Sequence, residues 1–110
     1  MAVNKGNYYK LKTKKWLVAQ GYQCDYLERL QRLYTPKGVI FVKRDMFASD
    51  ILAMNEEEII FVQVKLGRKN IASAYKEFAK FVFPPFVKRW IIVWEERARQ
   101  PEIIPMDSEE

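Results

Sequence analysis

Three residues between positions 50 and 66 carry side chains that can do chemistry: the carboxylate of Asp50, the amide of Gln63 and the amine of Lys65. Gln63 and Lys65 interrupt an otherwise apolar run at alternate positions, so they share one face of a strand. Buried polar groups need partners. A shared functional site meets that need, and the sequence favours it over a structural ion pair between Lys65 and Asp50.

The pattern around these residues predicts a β-hairpin. Apolar runs over 51–54 and 59–64 flank the polar break 55–58, as is typical of two strands joined by a short loop. A four-residue loop places Met54 opposite Ile59, and the same register places Asp50 opposite Gln63. Their Cβ atoms would lie roughly 4.5–5.5 Å apart, with Lys65 on the same face.

Composition limits the chemistry available. A chain of 110 residues with 49% hydrophobic residues predicts one folded domain. The complete lack of histidine excludes Ser-His and Cys-His triads and histidine-based zinc sites. An enzyme of this composition must work with carboxylates, amides, lysine and a hard cation such as Mg²⁺ or Mn²⁺.

The compartment is predicted from weaker signals. No apolar run is long enough to span a bilayer, and the first seven residues contain no apolar signal core. The single cysteine, Cys24, fits a reducing compartment and is expected to pack as a small buried hydrophobe. We therefore expect a cytoplasmic protein with no membrane partner.

Charge is unevenly distributed along the chain. Residues 1–90 hold 17 Lys+Arg against 8 Asp+Glu, a balance of +9, and residues 91–110 carry a balance of −4. A basic body of this kind favours a polyanionic partner, most simply DNA. The cations that could follow a phosphate backbone are Lys12, Lys14, Lys15, Arg44, Arg68 and Lys69.

The remaining elements must position the hairpin. An amphipathic pattern predicts a helix over 7–20, ended by Gly21. We interpret 22–34 as one irregular strand, although its leucine spacing would also suit a helical turn. Further elements are a strand over 39–42, a helix from Ile71 to Val82 capped by Asn70, and a strand over 89–94. The predicted order is α-β-β-β-β-α-β, an α/β or α+β domain with a mixed central sheet.

The residues around Asp50 and Gln63 resemble the motifs of a known nuclease superfamily. Ser49-Asp50-Ile51-Leu52-Ala53 and Gln63-Val64-Lys65 resemble the two motifs of the PD-(D/E)xK nuclease superfamily, in its archaeal Holliday junction resolvase-like branch. The resemblance covers roughly residues 7–94 and implies a restriction-endonuclease-like core, so we expect one nuclease-like domain over 1–95. The acidic composition of residues 96–110 predicts a tail that ends loosely. It also implies a metal-dependent DNA endonuclease acting on duplex or branched DNA.

The same resemblance suggests roles for individual residues. Asp50, the Gln63 side-chain oxygen and the Val64 carbonyl would hold the cation, and Lys65 would place positive charge beside the attacked phosphate. Many relatives carry Glu where Gln63 stands, and resolvases use a helix glutamate whose counterpart is Lys10. Asp45 is the first candidate for the missing acid and belongs to our predicted catalytic set; Glu28 is the second.

Assembly and two alternative functions remain open. Resolvase-like nucleases act as two-fold dimers, so part of the segment 83–86 is a candidate dimer surface. This segment overlaps an aromatic cluster, and such clusters more often belong to the core. The cluster consists of Phe81, Phe83, Phe86, Trp90 and Trp94. One alternative function is a catalytically weak or inactive DNA-binding module on this fold. The other is a small α/β interaction protein without a nucleic-acid role.

Overall fold

The structure is a computed structural model that describes residues 5–27, 29–44 and 46–106. Two helices and seven strands make up this described part, together with a short 3₁₀ turn over Arg68–Asn70. In chain order the elements are α1 (Lys5–Ala19), β1 (Gln23–Tyr26), β2 (Arg29–Thr35), β3 (Gly38–Arg44), β4 (Ile51–Met54), β5 (Ile59–Leu66), α2 (Ile71–Ala79), β6 (Val87–Trp94) and β7 (Glu102–Pro105).

Five strands form the central sheet in the order β1-β4-β5-β6-β7. Strands β5 and β6 pair in parallel, and the other neighbours are antiparallel. Strands β2 and β3 form a separate two-stranded sheet. The predicted fold class, a mixed central sheet flanked by helices, is confirmed.

The two helices cover opposite faces of the sheet. Leu17 of α1 packs in one core cluster with Ile60 and Val62 of β5. Phe78 of α2 packs in the other, where Phe61 of β5 lies against it. Because side chains alternate along a strand, β5 serves both cores. Gln63 and Lys65 follow Phe61 at alternate positions and so lie on the α2 face.

The β4–β5 hairpin has the predicted register. Met54 pairs with Ile59 and Ile51 with Val62. Asn55 organises the turn, because its Oδ1 accepts hydrogen bonds from the backbone N–H groups of Glu57 and Glu58. A turn fixed in this way leaves one register for the strands, and it brings Asp50, just before β4, beside Val62 and Val64 of β5.

Helix α1 ends at a glycine as predicted, whereas α2 departs from its predicted cap and end. Gly21, with φ of 98°, follows α1 in the left-handed region that favours glycine. Asn70 occupies the predicted N-cap position of α2, but its side chain donates to the Leu66 carbonyl instead of capping the helix. Helix α2 ends at Ala79, three residues short of the predicted end and well before Pro84.

The interpretation of 22–34 as one strand is wrong. The segment forms two strands that belong to different sheets, with β1 in the central sheet and β2 in the separate hairpin. The sequence alternates over Tyr22, Cys24 and Tyr26 but then spaces its leucines three apart, at Leu27, Leu30 and Leu33, and neither pattern shows that the segment divides between two sheets. The division arises from pairing, because β1 pairs with β4 whereas β2 pairs with β3.

The expectation of a loose end after residue 95 is also wrong for the described residues. Strand β7 pairs antiparallel with β6, and Met106 is buried in the α2-side core. Gln100 accepts a hydrogen bond from the indole N–H of Trp16 at 2.9 Å. Acidic composition hid a short apolar pair, Ile103 and Ile104, that pairs with the edge of the sheet.

None of the helices in the described part of the chain has the length and apolar character needed to cross a membrane.

Candidate active site

Asp50 immediately precedes β4, one residue beyond the last pair of the hairpin, Ile51 and Val62. Its backbone N–H donates to the Val62 carbonyl at 2.8 Å, and its Oδ2 accepts from the backbone N–H of Val64 at 2.8 Å. The residue is only 4% exposed. A carboxylate held by the neighbouring strand in this way has a fixed orientation, which a catalytic or metal-binding acid requires.

Gln63 and Lys65 meet a second carboxylate from α2. Gln63 Nε2 donates to Glu77 Oε1 at 2.9 Å, and Lys65 Nζ lies 3.6 Å from the same oxygen. Helix α2 follows β5 in the chain and packs on the face that carries both side chains, so its glutamate reaches them. Asp50, Gln63, Lys65 and Glu77 thus occupy one end of the central sheet.

One oxygen in this group is buried without a partner. Gln63 is 4% exposed, and its Oε1 makes no hydrogen bond within the described residues. An ionised carboxylate only accepts hydrogen bonds, so the amide nitrogen must face Glu77 and the oxygen must face away from it. A buried carbonyl-type oxygen in this position costs free energy unless a donor or a cation meets it.

Lys10 of α1 approaches Asp50 from the opposite side of the sheet. Its Nζ lies 3.5 Å from Asp50 Oδ1, and its side chain is 18% exposed. The position that the resolvase resemblance assigns to a helix glutamate therefore does face the site, with the opposite charge. Two lysines and two carboxylates bring the formal charge of the group to zero.

The donor set fits a hard divalent cation in chemistry but is weakly charged. Asp50 offers carboxylate oxygen and Gln63 offers its unpartnered Oε1, and oxygens of this kind are what Mg²⁺ and Mn²⁺ prefer. Within the described residues there is no cluster of three or more Cys, Asp or Glu that could hold a metal ion. Any cation would therefore be held by fewer carboxylates than a purely acidic site provides.

Sequence reasoning missed Glu77 and proposed acids elsewhere. Asp45 and Glu28, the predicted candidates for the third acid, lie outside the described residues. Val64 enters the site through its N–H, and its predicted role as a carbonyl ligand stays a prediction. A signal for Glu77 existed, because it is the one acidic residue between positions 59 and 94 and lies on the helix that follows the motif.

The cations predicted to bind DNA lie in different settings. Lys12 lies 4.5 Å from the Trp94 ring centroid and donates to the Ala98 carbonyl. Lys14 pairs with Asp25 at 3.7 Å, and Arg68 pairs with Glu102. Lys15 and Lys69 are exposed. Arg44 ends β3, one residue before the gap at position 45.

Cys24 has the environment of a packed thiol. It packs against the α1-side core, and its Sγ lies 3.5 Å from the Lys14 carbonyl oxygen. Burial raises the pKa of the Cys24 thiol above its ordinary value. A raised pKa keeps the thiol protonated at neutral pH, which argues against a nucleophilic role.

No protein-family model matches the chain, and no curated protein is similar to it at a significant level. Among solved structures, the fold is similar to that of Archaeoglobus fulgidus Hjc, a Holliday junction resolvase from an archaeal hyperthermophile. The TM-score is 0.61 at 17% identity, over 93% of this chain and 73% of that one. The structure of SSO0001 is also similar, with a TM-score of 0.50 at 12% identity. The match covers 94% of this chain but only 52% of SSO0001, so this chain spans about half the length of that protein. These likenesses show that the chain shares the fold of the Hjc resolvase, a mixed five-stranded sheet flanked by helices.

Proposed function

We propose that this protein is a metal-dependent DNA endonuclease that hydrolyses phosphodiester bonds. The observation that carries the proposal is that Gln63 and Lys65 both contact Glu77 while Asp50 accepts from Val64 between them. The Gln63 oxygen in this group is buried and makes no hydrogen bond within the described residues. Burial of the Gln63 oxygen costs free energy, and a bound cation would offset that cost.

Each residue has a distinct role in the proposed reaction. Asp50 and Gln63 would hold Mg²⁺ or Mn²⁺, with the Val64 carbonyl as a further donor. The cation, when bound, neutralises charge developing at the phosphate and lowers the pKa of an attacking water. Lys65 presents an ammonium to the attacked phosphate. Glu77 is a positioning residue, because it holds the amide of Gln63 and the ammonium of Lys65.

DNA is the proposed substrate, in duplex or branched form. The basic balance of +9 over residues 1–90 favours a polyanion. The similarity in fold to a Holliday junction resolvase favours branched DNA as the substrate. Base-specific recognition is not part of the proposal, because the proposed cations read charge and shape rather than sequence.

A cleavage assay tests the proposal. Wild-type protein with Mg²⁺ or Mn²⁺ should cut plasmid or four-way-junction DNA, and Asp50→Ala and Lys65→Ala should each lower the rate at least about 100-fold. Lys80→Ala, which removes an exposed lysine from beyond the end of α2, is the matched control and should cleave normally. No metal-dependent cleavage of any DNA by the wild type would overturn the proposal.

A second candidate is a non-catalytic DNA-binding module. The ion pair between Lys10 and Asp50 favours it, because an ammonium lies 3.5 Å from the acid that would bind the cation. Salt-sensitive DNA binding without cleavage, under broad metal and pH conditions, would select this function over the first.

We also propose that two copies of the chain form the working unit. Phe83 packs among other aromatic rings, 5.0 Å from Phe61 between centroids. Trp94 is buried, whereas Val82 is 100% exposed and Phe86 76% exposed on either side of Pro84. Apolar side chains left in solvent beside a packed aromatic cluster are typical of a surface that a partner covers. A second copy is the proposed partner, in keeping with two-fold symmetric oligomers.

A further inference from the structure

The β2–β3 hairpin stands apart from the rest of the fold. Its strands pair with each other along seven residue pairs from Arg29↔Arg44 to Thr35↔Gly38, and neither joins the central sheet. A two-stranded hairpin is only marginally stable by itself in water. The chain nevertheless places large apolar side chains on it, which indicates a partner.

One face of this hairpin combines exposed aromatic rings with a guanidinium. The register places Arg32 opposite Phe41 and Tyr34 opposite Val39, so these four side chains share a face. Tyr34 is 76% exposed, Phe41 61% and Val39 48%. The Arg32 guanidinium lies 5.8 Å from the Phe41 ring centroid and donates to the Tyr34 hydroxyl at 3.4 Å. The arginine thus lies between the two rings and holds the face together.

The charge of the hairpin identifies the class of partner. Residues 29–44 contain five basic residues and no acidic residue, a charge as large as the net +5 of the whole chain. Polyanions match this charge. Aromatic rings and guanidinium planes stack on nucleic-acid bases, and they reach the faces of bases only where base pairing is interrupted.

The hairpin is rooted at the candidate active site. Just before β2, the Leu27 N–H donates to the Asp50 carbonyl at 2.9 Å. After β3, a bridge between Met46 and Ser49 leads directly to Asp50. Strands of seven residues extend roughly 20 Å, so the arm reaches along a nucleic acid that is held at the site.

We propose that the β2–β3 hairpin is a nucleic-acid-binding arm that stacks Tyr34 and Phe41 on unpaired bases beside the cleavage site. The inference rests on the proposed action on DNA and specifies which feature of the DNA is recognised. It directs the site to branch points and bulges, because uninterrupted duplex hides the base faces that the two rings contact.

Binding without cleavage tests the arm. Fluorescence anisotropy in EDTA compares a duplex, the same duplex with unpaired bases, and a four-way junction. Tyr34→Ala combined with Phe41→Ala should weaken binding to the unpaired-base DNA at least about tenfold, since each stacked ring is worth roughly 5- to 150-fold. Duplex binding should change less than about threefold. Tyr75→Ala, which removes a 47% exposed ring from α2, is the matched control and should bind like wild type.

The cationic part of the arm has its own signature. Lys37 lies in the exposed turn between the two strands. Lys37→Gln should weaken binding to all three DNAs alike and reduce the slope of log affinity against log salt by about 1. A selective effect of this variant on unpaired-base DNA would contradict the division of roles between lysine and rings.

A measurement on the unaltered protein guards against a misfolded variant. DNA with 5-iododeoxyuridine at the unpaired position should photo-crosslink to Tyr34 or Phe41, as mapped by mass spectrometry. Crosslinks confined to other residues would overturn the proposal. So would an unchanged preference for unpaired bases in the double variant, or a loss of dimer mass in that variant, which would make the arm a contact between copies.

Failure of the arm and failure of the proposed function are separable. If the wild type cleaves DNA and the double variant binds and cleaves identically, the arm proposal falls and the nuclease proposal stands. If the wild type binds no DNA of any form, both proposals fall.

Discussion

At the residue scale, Gln63 presents two different groups to the site: its nitrogen donates to Glu77, and its oxygen makes no hydrogen bond within the described residues. A glutamate there would bring more charge to a cation but would place two carboxylates in contact. The neutral amide instead allows Glu77 to accept from Gln63 and Lys65 together. The site therefore gives up cation affinity in exchange for an arrangement that is stable without the cation.

Gln63→Glu should raise the affinity for a cation and lower the stability of the protein without one. Without a divalent cation, its buried carboxylate faces the half-exposed carboxylate of Glu77 and lowers the free energy of unfolding by about 2–4 kcal/mol. Mg²⁺ or Mn²⁺ should raise the melting temperature of the variant more than that of the wild type, as thermal unfolding with and without cation would show. Gln20→Glu, at an exposed position, is the control. Equal cation-induced shifts in all three proteins would mean that the Gln63 side chain does not face the cation.

Lys10 would also lower the affinity of the proposed site for a cation, because its ammonium lies beside Asp50. Lys10→Met removes the ammonium 3.5 Å from Asp50, and Mn²⁺ affinity measured by titration calorimetry should rise about tenfold. Lys15→Met, on the exposed side of the same helix, should leave the affinity unchanged. If both variants bind Mn²⁺ like the wild type, Asp50 is not a ligand.

At the element scale, Glu58 joins three segments of the chain at the turn end of the β4–β5 hairpin. Its carboxylate accepts from the Tyr22 hydroxyl just before β1 and lies 2.6 Å from Lys88 Nζ on β6. The hydrogen bond from Lys88, followed by that from Tyr22, lowers the pKa of Glu58 below its ordinary 4.5. Burial, reinforced by Glu58, raises the pKa of Tyr22 to about 12.

These shifts predict how stability depends on pH. The lowered pKa of Glu58 contributes stability that is present above about pH 4.5 and is lost as pH falls through the folded-state pKa. Glu58→Gln should therefore be less stable than wild type by about 1–2 kcal/mol at pH 7. Denaturant unfolding should show this gap narrowing below pH 4.5. Glu56→Gln, at an exposed position, should be as stable as the wild type at every pH. If Glu58→Gln and the wild type differed in stability by the same amount throughout the acid range, ionisation of Glu58 would not be the cause of the difference.

The sequence predicted individual helices and strands better than the contacts between them. The hairpin register followed from loop length and from the residues of the turn, so the pairing of Met54 with Ile59 was predictable. Glu77 was not, because its role depends on where α2 packs after β5. Strand β7 was hidden for a related reason, since Ile103 and Ile104 are too few to mark a strand until β6 offers them an edge.

At the scale of the whole molecule, the molar mass in solution tests the proposed dimer. Phe86→Asp places a charge on the exposed apolar surface between α2 and β6. Light scattering after size exclusion should give twice the chain mass of 13.1 kDa for the wild type and a single chain mass for the variant. Val18→Asp, at a position 57% exposed on α1, should remain dimeric. A wild type of single-chain mass at working concentrations would refute the dimer.

The contact between the Leu27 N–H and the Asp50 carbonyl has a consequence for how this chain can vary. The chain leaves the central sheet and returns to it at that one point, since Tyr26 pairs with Ile51. Lengthening a flexible insertion is inexpensive, about 0.6 kcal/mol for each doubling of its length. Related chains can therefore lose, extend or exchange the whole excursion while the acid at its base keeps its place. For the proposed nuclease, recognition by the arm and cleavage beside Asp50 can therefore evolve independently.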